Sequence, residues 1–139
     1  MESRLEVAVL KGGCLCGGVQ YEADTDGSVA GHCHCTRCQR ASGSGSLPAF
    51  LVDTDKLNIV AGADQLTTYA EEGFAARHFC KTCGSGIYAS GENFTVVNAG
   101  TLVPGSEFKP QFHMMVGSKA SWEEITDGLT QFPEYPPMG

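Results

Sequence analysis

Apolar and polar residues alternate over short stretches of this chain instead of recurring at every third or fourth position. Val19, Tyr21 and Ala23 interleave with Gln20 and Glu22, the pattern of a strand with one face buried. Short apolar stretches predict further strands at Val7–Leu10, Ala30–Cys35, Leu47–Val52, Leu57–Val60, Leu66–Tyr69, Ala75–Phe79, Ile87–Ala89, Thr95–Ala99 and Phe112–Val116, beside Val19–Ala23. Turn residues separate several of them: Asp24–Gly27, Asp53–Asp55 and Glu71–Gly73. Two segments read as helical turns. Thr36–Ser42 is followed by Gly43 and Gly45, which end it. Ser121–Ile125 has Ser121 as N-cap and Glu124 three residues on. Phe50, Phe79 and Phe94 are assigned to the core. Many short strands with few helical turns predict a mainly β, compact, antiparallel fold. One domain over residues 1–139 is expected, with the proline-rich tail 133–139 irregular.

Composition narrows the function. A hydrophobic fraction of 42% excludes a disordered chain, and 18 glycines fit a structure built on tight turns. The formal charge of -7 argues against a sequence-independent grip on nucleic acid, which needs clustered lysine and arginine. No apolar run approaches the roughly 20 residues of a membrane span. Met1–Lys11 lacks signal-peptide architecture, because its short apolar stretch carries Glu6. The expected address is the cytoplasm.

The cysteines carry the chemistry. There are seven: Cys14, Cys16, Cys33, Cys35, Cys38, Cys80 and Cys83. An odd number cannot pair fully as disulfides within one chain, and a reducing compartment keeps thiols free. Cys80 and Cys83 form a C-x-x-C turn followed by Gly84, a spacing that lets both sulfurs face one ion. Cys14/Cys16 and Cys33/Cys35 are C-x-C pairs, whose side chains share a face in an extended strand, with His32 and His34 facing the other way. A structural zinc takes four ligands. Cys14, Cys16, Cys80 and Cys83 supply four, and the 64-residue separation is tolerable because loop-closure entropy grows only logarithmically. Cys33, Cys35 and Cys38 remain. Three protein ligands with a fourth position left for substrate mark a catalytic zinc. The alternative is a second structural zinc completed by His34, His32 or His113. Thiolate softness makes Zn²⁺ the expected metal in both sites.

Three segments resemble one family: Gly13–Tyr21 around Cys14 and Cys16, His32–Gly43 around Cys33, Cys35 and Cys38, and Phe79–Gly84 around Cys80 and Cys83. They are similar to the glutathione-dependent formaldehyde-activating enzymes, a family that shares its domain with centromere protein V. The closing segments His113–Trp122 and Asp127–Phe132 resemble the family's ending, so the likeness covers about residues 11–135. The resemblance implies a zinc-bound β fold with Cys14, Cys16, Cys80 and Cys83 structural and Cys33, Cys35 and Cys38 catalytic. It also implies formation of S-(hydroxymethyl)glutathione from glutathione and formaldehyde, a carbon–sulfur lyase activity. Where the family usually has a basic residue after the third catalytic cysteine, this chain has Gln39, with Arg40 next.

The expected function is therefore that of a zinc enzyme acting on an adduct of glutathione, or another small thiol, with formaldehyde or another aldehyde. Its partners would be small molecules, with no nucleic acid and no membrane. Arg37 and Arg40 are candidates to attract the carboxylates of glutathione, and Ser42–Ser46 to form a pocket rim. His34 is a candidate proton donor or packed residue. His113, with Lys119 and Trp122, either lines the pocket or packs on the core. The alternative is a non-catalytic, zinc-stabilised binding or scaffold module.

Overall fold

The computed structural model describes residues 9–25, 28–106 and 108–137. Its fold is mainly β, as the alternation predicts. Strands β1 (Val9–Gly13), β2 (Gln20–Asp24) and β5 (Leu57–Ala61) make a three-stranded antiparallel sheet in the order β1-β2-β5. The other sheet has eight strands: β3 (Ala30–Cys33), β4 (Leu47–Val52), β6 (Leu66–Tyr69), β7 (Ala76–Cys80), β8 (Gly86–Ser90), β9 (Thr95–Asn98), β10 (Phe112–Met114) and β11 (Thr130–Gln131). Their order is β11-β10-β3-β4-β9-β8-β7-β6. Helix α1 (Thr36–Ser42) joins β3 to β4, and Gly43 ends it with φ 69°.

Inward residues of both sheets meet in one cluster. Leu10, Tyr21 and Ala23 from the small sheet pack with Phe50, Val52, Ile87 and Val97 from the large one. Cys14 and Cys80 belong to the same cluster. Two thiols of the four-cysteine group are thus built into the apolar core. No helix among the described residues is long and apolar enough to cross a membrane.

The structure departs from the expected elements in instructive places. Strand β10 runs parallel to both β3 and β11, where an antiparallel sheet was expected. It stops at Met114 because Met115 turns with φ 58° and Val116–Ser118 winds into a 3-10 turn. Ser121–Ile125 forms no helix. A single turn closes from Glu123 N–H to the Ala120 carbonyl, and Lys119 Nζ donates to the Glu123 carbonyl at 2.6 Å. Trp122 and Glu123 instead lie against Gly45. Phe50 is core, but Phe79 is only half-buried, and Phe94 is exposed with its ring over Gly91. Val7 and Ala8 of the first expected strand, and Asp26 and Gly27 of the first expected turn, lie outside the described residues. Of the expected irregular tail, Met138 and Gly139 lie outside the described residues; residues 133–137 hold no helix or strand, and the chain end is tied down where Met115, Val116 and Gly117 donate to the carbonyls of Glu134, Phe132 and Pro133.

One glycine links the two sheets' connections to the first cysteine loop. Gly62 sits at φ 79°, where a Cβ would run into the Gly18 carbonyl. A left-handed backbone costs an L-residue roughly 1–2 kcal/mol before any collision. Gly62→Ala is therefore expected to destabilise the protein by about 2 kcal/mol or more. Urea denaturation checks this, and an unshifted midpoint would contradict it.

Candidate functional site

The four-cysteine group is assembled by two tight turns. Cys14 and Cys16 lie just beyond β1, so they converge through a turn closed by Gly17 N–H to the Cys14 carbonyl, and not through strand pleat. Their sulfurs are 3.5 Å apart, and Cys16 Sγ is 3.9 Å from Cys80 Sγ. Cys80 ends β7, where Gly84 N–H donates to its carbonyl and its own N–H donates to the Ser85 carbonyl. Leu15 N–H reaches Ser85 Oγ at 2.9 Å, joining the two turns. All four sulfurs lie within 4.8 Å of one another. The Ser85 hydroxyl, with backbone N–H groups, pulls the Cys83 thiol down to about 5. Cys16 is favoured as a thiolate by Gly18 N–H, yet the Cys14 sulfur beside it pushes it up to about 11. Four thiols this close cannot all ionise unless a cation sits among them.

The three-cysteine group uses a strand end and a helix start. Cys33 is the last residue of β3. Cys35 is the N-cap of α1, with extended backbone (φ -67°, ψ 156°), and its Sγ accepts from Cys38 N–H at 3.3 Å. Strand alternation therefore accounts for Cys33 alone, and the helix cap turns Cys35 and Cys38 back toward it. The three sulfurs also lie within 4.8 Å of one another. The Cys33 thiol, helped by Cys35 and by Arg77, pulls Cys38 down to about 6 against the opposing effect of burial. Cys33 moves the other way, raised by Cys38 and by burial.

His34 and His32 face away from the sulfurs, as the C-x-C pattern predicts. His34 is buried, with Nε2 2.8 Å from Nδ1 of the buried His113. The His32 ring stacks on His113 with centroids 4.5 Å apart. His113 Nε2 lies 2.9 Å from Asp127 Oδ2. Burial, and then His113, pushes both His32 and His34 below the usual imidazole range. His113 is therefore a packed residue, and His34 is neither a sulfur-side ligand nor a proton donor to that side. Gln39, in the family's basic position, donates from Nε2 to the carbonyls of His34 and Ser118.

A cavity of about 760 Å³ borders α1 and the outer face of β7 and β8. Arg37, Arg40, Arg77, Tyr88 and Asn98 line it, with serines from the Ser42–Ser46 segment on its rim. Arg77 relates it to the three-cysteine group, since it lines the cavity and its positive charge helps draw down the Cys38 thiol. Arg37 is not free: it pairs with Glu71 at 2.8 Å and lies 3.7 Å over the Phe74 ring. Arg40 makes no ion pair among the described residues. Sequence reasoning passed over Arg77 and Asp127. Arg77 had a usable signal, an arginine in a strand that ends at Cys80. Asp127 opens a segment that resembles the family's ending, but nothing in the sequence set it beside His113.

A solved crystal structure of a Rhodobacter sphaeroides protein has a similar fold, with a TM-score of 0.60 and 23% identity over 88% of this chain and 99% of that one. A protein of Schizosaccharomyces pombe named as an uncharacterized lyase is 29% identical over 92 residues. That match covers 64% of this chain and spans 65% of the length of its relative. Residues 9–118 match the family described as glutathione-dependent formaldehyde-activating enzyme, and the chain belongs to that family.

Proposed function

We propose that this protein is a zinc-dependent, carbon–sulfur lyase-type enzyme. Its reaction joins a small thiol, glutathione foremost, to formaldehyde or another aldehyde, as in S-(hydroxymethyl)glutathione synthesis. The observation that carries the reading is the three-sulfur group of Cys33, Cys35 and Cys38, with α1 carrying Cys38 and also Arg37 and Arg40 of an arginine-bordered cavity. Family membership and the lyase name of the fission-yeast relative support it.

Both donor sets suit zinc. Cys14, Cys16, Cys80 and Cys83 would hold a closed structural ion, and Cys33, Cys35 and Cys38 an ion with one coordination position left for substrate. Bound there, zinc supplies a site that favours the deprotonated form of an incoming thiol. The chain does the rest by positioning. Arg77 lines the cavity on the side of β7, and Arg40 offers a cation that no carboxylate occupies among the described residues. A tripeptide thiol with two carboxylates matches that lining. In the reaction its sulfur lone pair forms the bond to the aldehyde carbon, the C=O π pair moves onto oxygen, and that oxygen takes a proton from solvent. Holding both reactants together supplies the advantage, as an effective concentration.

The zinc-loaded protein is expected to consume glutathione in the presence of formaldehyde faster than the spontaneous reaction, which must be subtracted. Arg40→Ala should raise KM for glutathione by about tenfold, the scale of one lost charge-assisted contact, while an uncharged thiol is unaffected. No acceleration with either thiol would sink the enzymatic reading.

A further inference from the structure

Resting on that reading of the three-cysteine group, we propose that Asp127 and His113 are positioning residues for it, acting through the side chain of His34. His34 stands between Cys33 and Cys35, so whatever fixes its side chain fixes the direction in which both sulfurs project. Three ties hold it. Its N–H donates to the Met114 carbonyl at 3.0 Å, its carbonyl accepts from Gln39 Nε2 at 2.7 Å, and its Nε2 meets His113 Nδ1 at 2.8 Å. The first two orient the backbone. Only the third grips the side chain, and it continues outward to Asp127, whose oxygens lie 2.9 and 3.2 Å from His113 Nε2. Asp127 is itself held by Leu129 N–H, which donates to Oδ1 at 3.0 Å.

The chain has a fixed direction. An ionised carboxylate only accepts hydrogen bonds, so His113 donates from Nε2, and as the neutral imidazole it accepts at Nδ1. His34 must then donate from Nε2, which leaves its Nδ1 a bare lone pair. That atom is buried without a hydrogen-bond partner, alone among the buried side-chain nitrogens and oxygens of the described residues. A neutral His34 locked in one tautomer acts as a strut from the surface to the backside of the sulfurs. His113 is clamped in turn, stacked on His32 and paired through β10 alongside β3, with Met114 opposite Cys33. The outer-shell groups of metal sites act in this way, and losing one costs roughly 10–100-fold in metal affinity or activity.

His32, His113 and Asp127 also bring three donor atoms within 4.8 Å. A metal ion there would break the chain, because both nitrogens of His113 already make hydrogen bonds and its ring lies nearly parallel to that of His32, at 14°.

The test uses the full-length protein loaded with zinc or cobalt(II), as wild type, Asp127→Ala and Asp127→Asn. Asparagine keeps an oxygen that accepts from His113 Nε2–H. Asp127→Ala should weaken metal at the three-cysteine group by about 10–100-fold in chelator competition and alter its cobalt–thiolate absorption. The four-cysteine ion and the melting temperature should stay near wild type, and Asp127→Asn should restore affinity and spectrum. Nitrogen-15 spectra should show His34 protonated at Nε2. Unchanged affinity and spectrum in Asp127→Ala would overturn the proposal, as would an Nδ1-protonated His34 or a third ion ligated by nitrogen and oxygen. None of these readouts needs substrate. A wild-type protein that binds no metal at Cys33, Cys35 and Cys38 would defeat the functional reading first, a result distinct from a strut that proves idle.

Discussion

Cys80→Ser is expected to cost the protein its fold and not merely one contact. Cys80 is fully buried, it ends β7, and its sulfur faces Cys16 across a 64-residue separation. Structural zinc in small domains contributes an apparent binding free energy of about 10–16 kcal/mol. Whole domains are stable by only about 5–15 kcal/mol. A site degraded by one of four ligands removes a share of that energy comparable to the entire margin. It also leaves thiols crowded in an apolar cluster that includes Cys14. Circular dichroism of Cys80→Ser purified with zinc should show lost or strongly loosened structure, and removing metal from the wild type with a strong chelator should do the same. A variant that melts like wild type would mean that the core stands without the ion.

Cys38→Ser should give the opposite pattern. Cys38 sits in the short helix α1, outside the core cluster, and its neighbours Cys35 and Gly43 cap that helix by themselves. The fold is expected to survive, and zinc should fall from about two ions per chain to about one. Formation of the carbon–sulfur bond should drop to the spontaneous rate. Without Cys38 the group keeps two sulfurs, too few to hold an ion with one position left for substrate. Loss of all structure would make this group structural. Full turnover with one zinc would move the chemistry elsewhere.

The contrast between these two variants follows from what was legible in the chain. Leu47–Val52, Leu66–Tyr69 and Thr36–Ser42 stand where local pattern puts them, because a short β-prone run and a glycine stop are decided within a few residues. The cysteine groups were legible as sets, since a metal's ligand count constrains spacing however the backbone runs between. How each set closes was not. Cys14 and Cys16 converge through a turn, and Cys35 through a helix cap, because backbone hydrogen bonds with Gly17 and Cys38 decide it. The parallel placement of β10 beside β3 depends on a crossover from β9 that no periodicity marks. Asp127 gains meaning only from that placement. Ser121–Ile125 has the sequence of a helix start, but the Lys119 ammonium takes the Glu123 carbonyl and the segment lies over Gly45.

The distribution of the sulfurs along the chain also sets an order of events during synthesis. Cys33, Cys35 and Cys38 leave the ribosome together, within six residues. Cys14 and Cys16 must wait for Cys83, a delay of roughly 3–13 s at the usual elongation rates of about 5–20 residues per second. Asp127, at the far end of the histidine chain, emerges later still. The nascent protein therefore presents a complete three-thiol trap before its closed site exists and long before its brace arrives. Cys14 and Cys16 are already out by then, an incomplete pair until Cys80 and Cys83 follow, so metal supply during translation, and not only afterwards, bears on which site fills first.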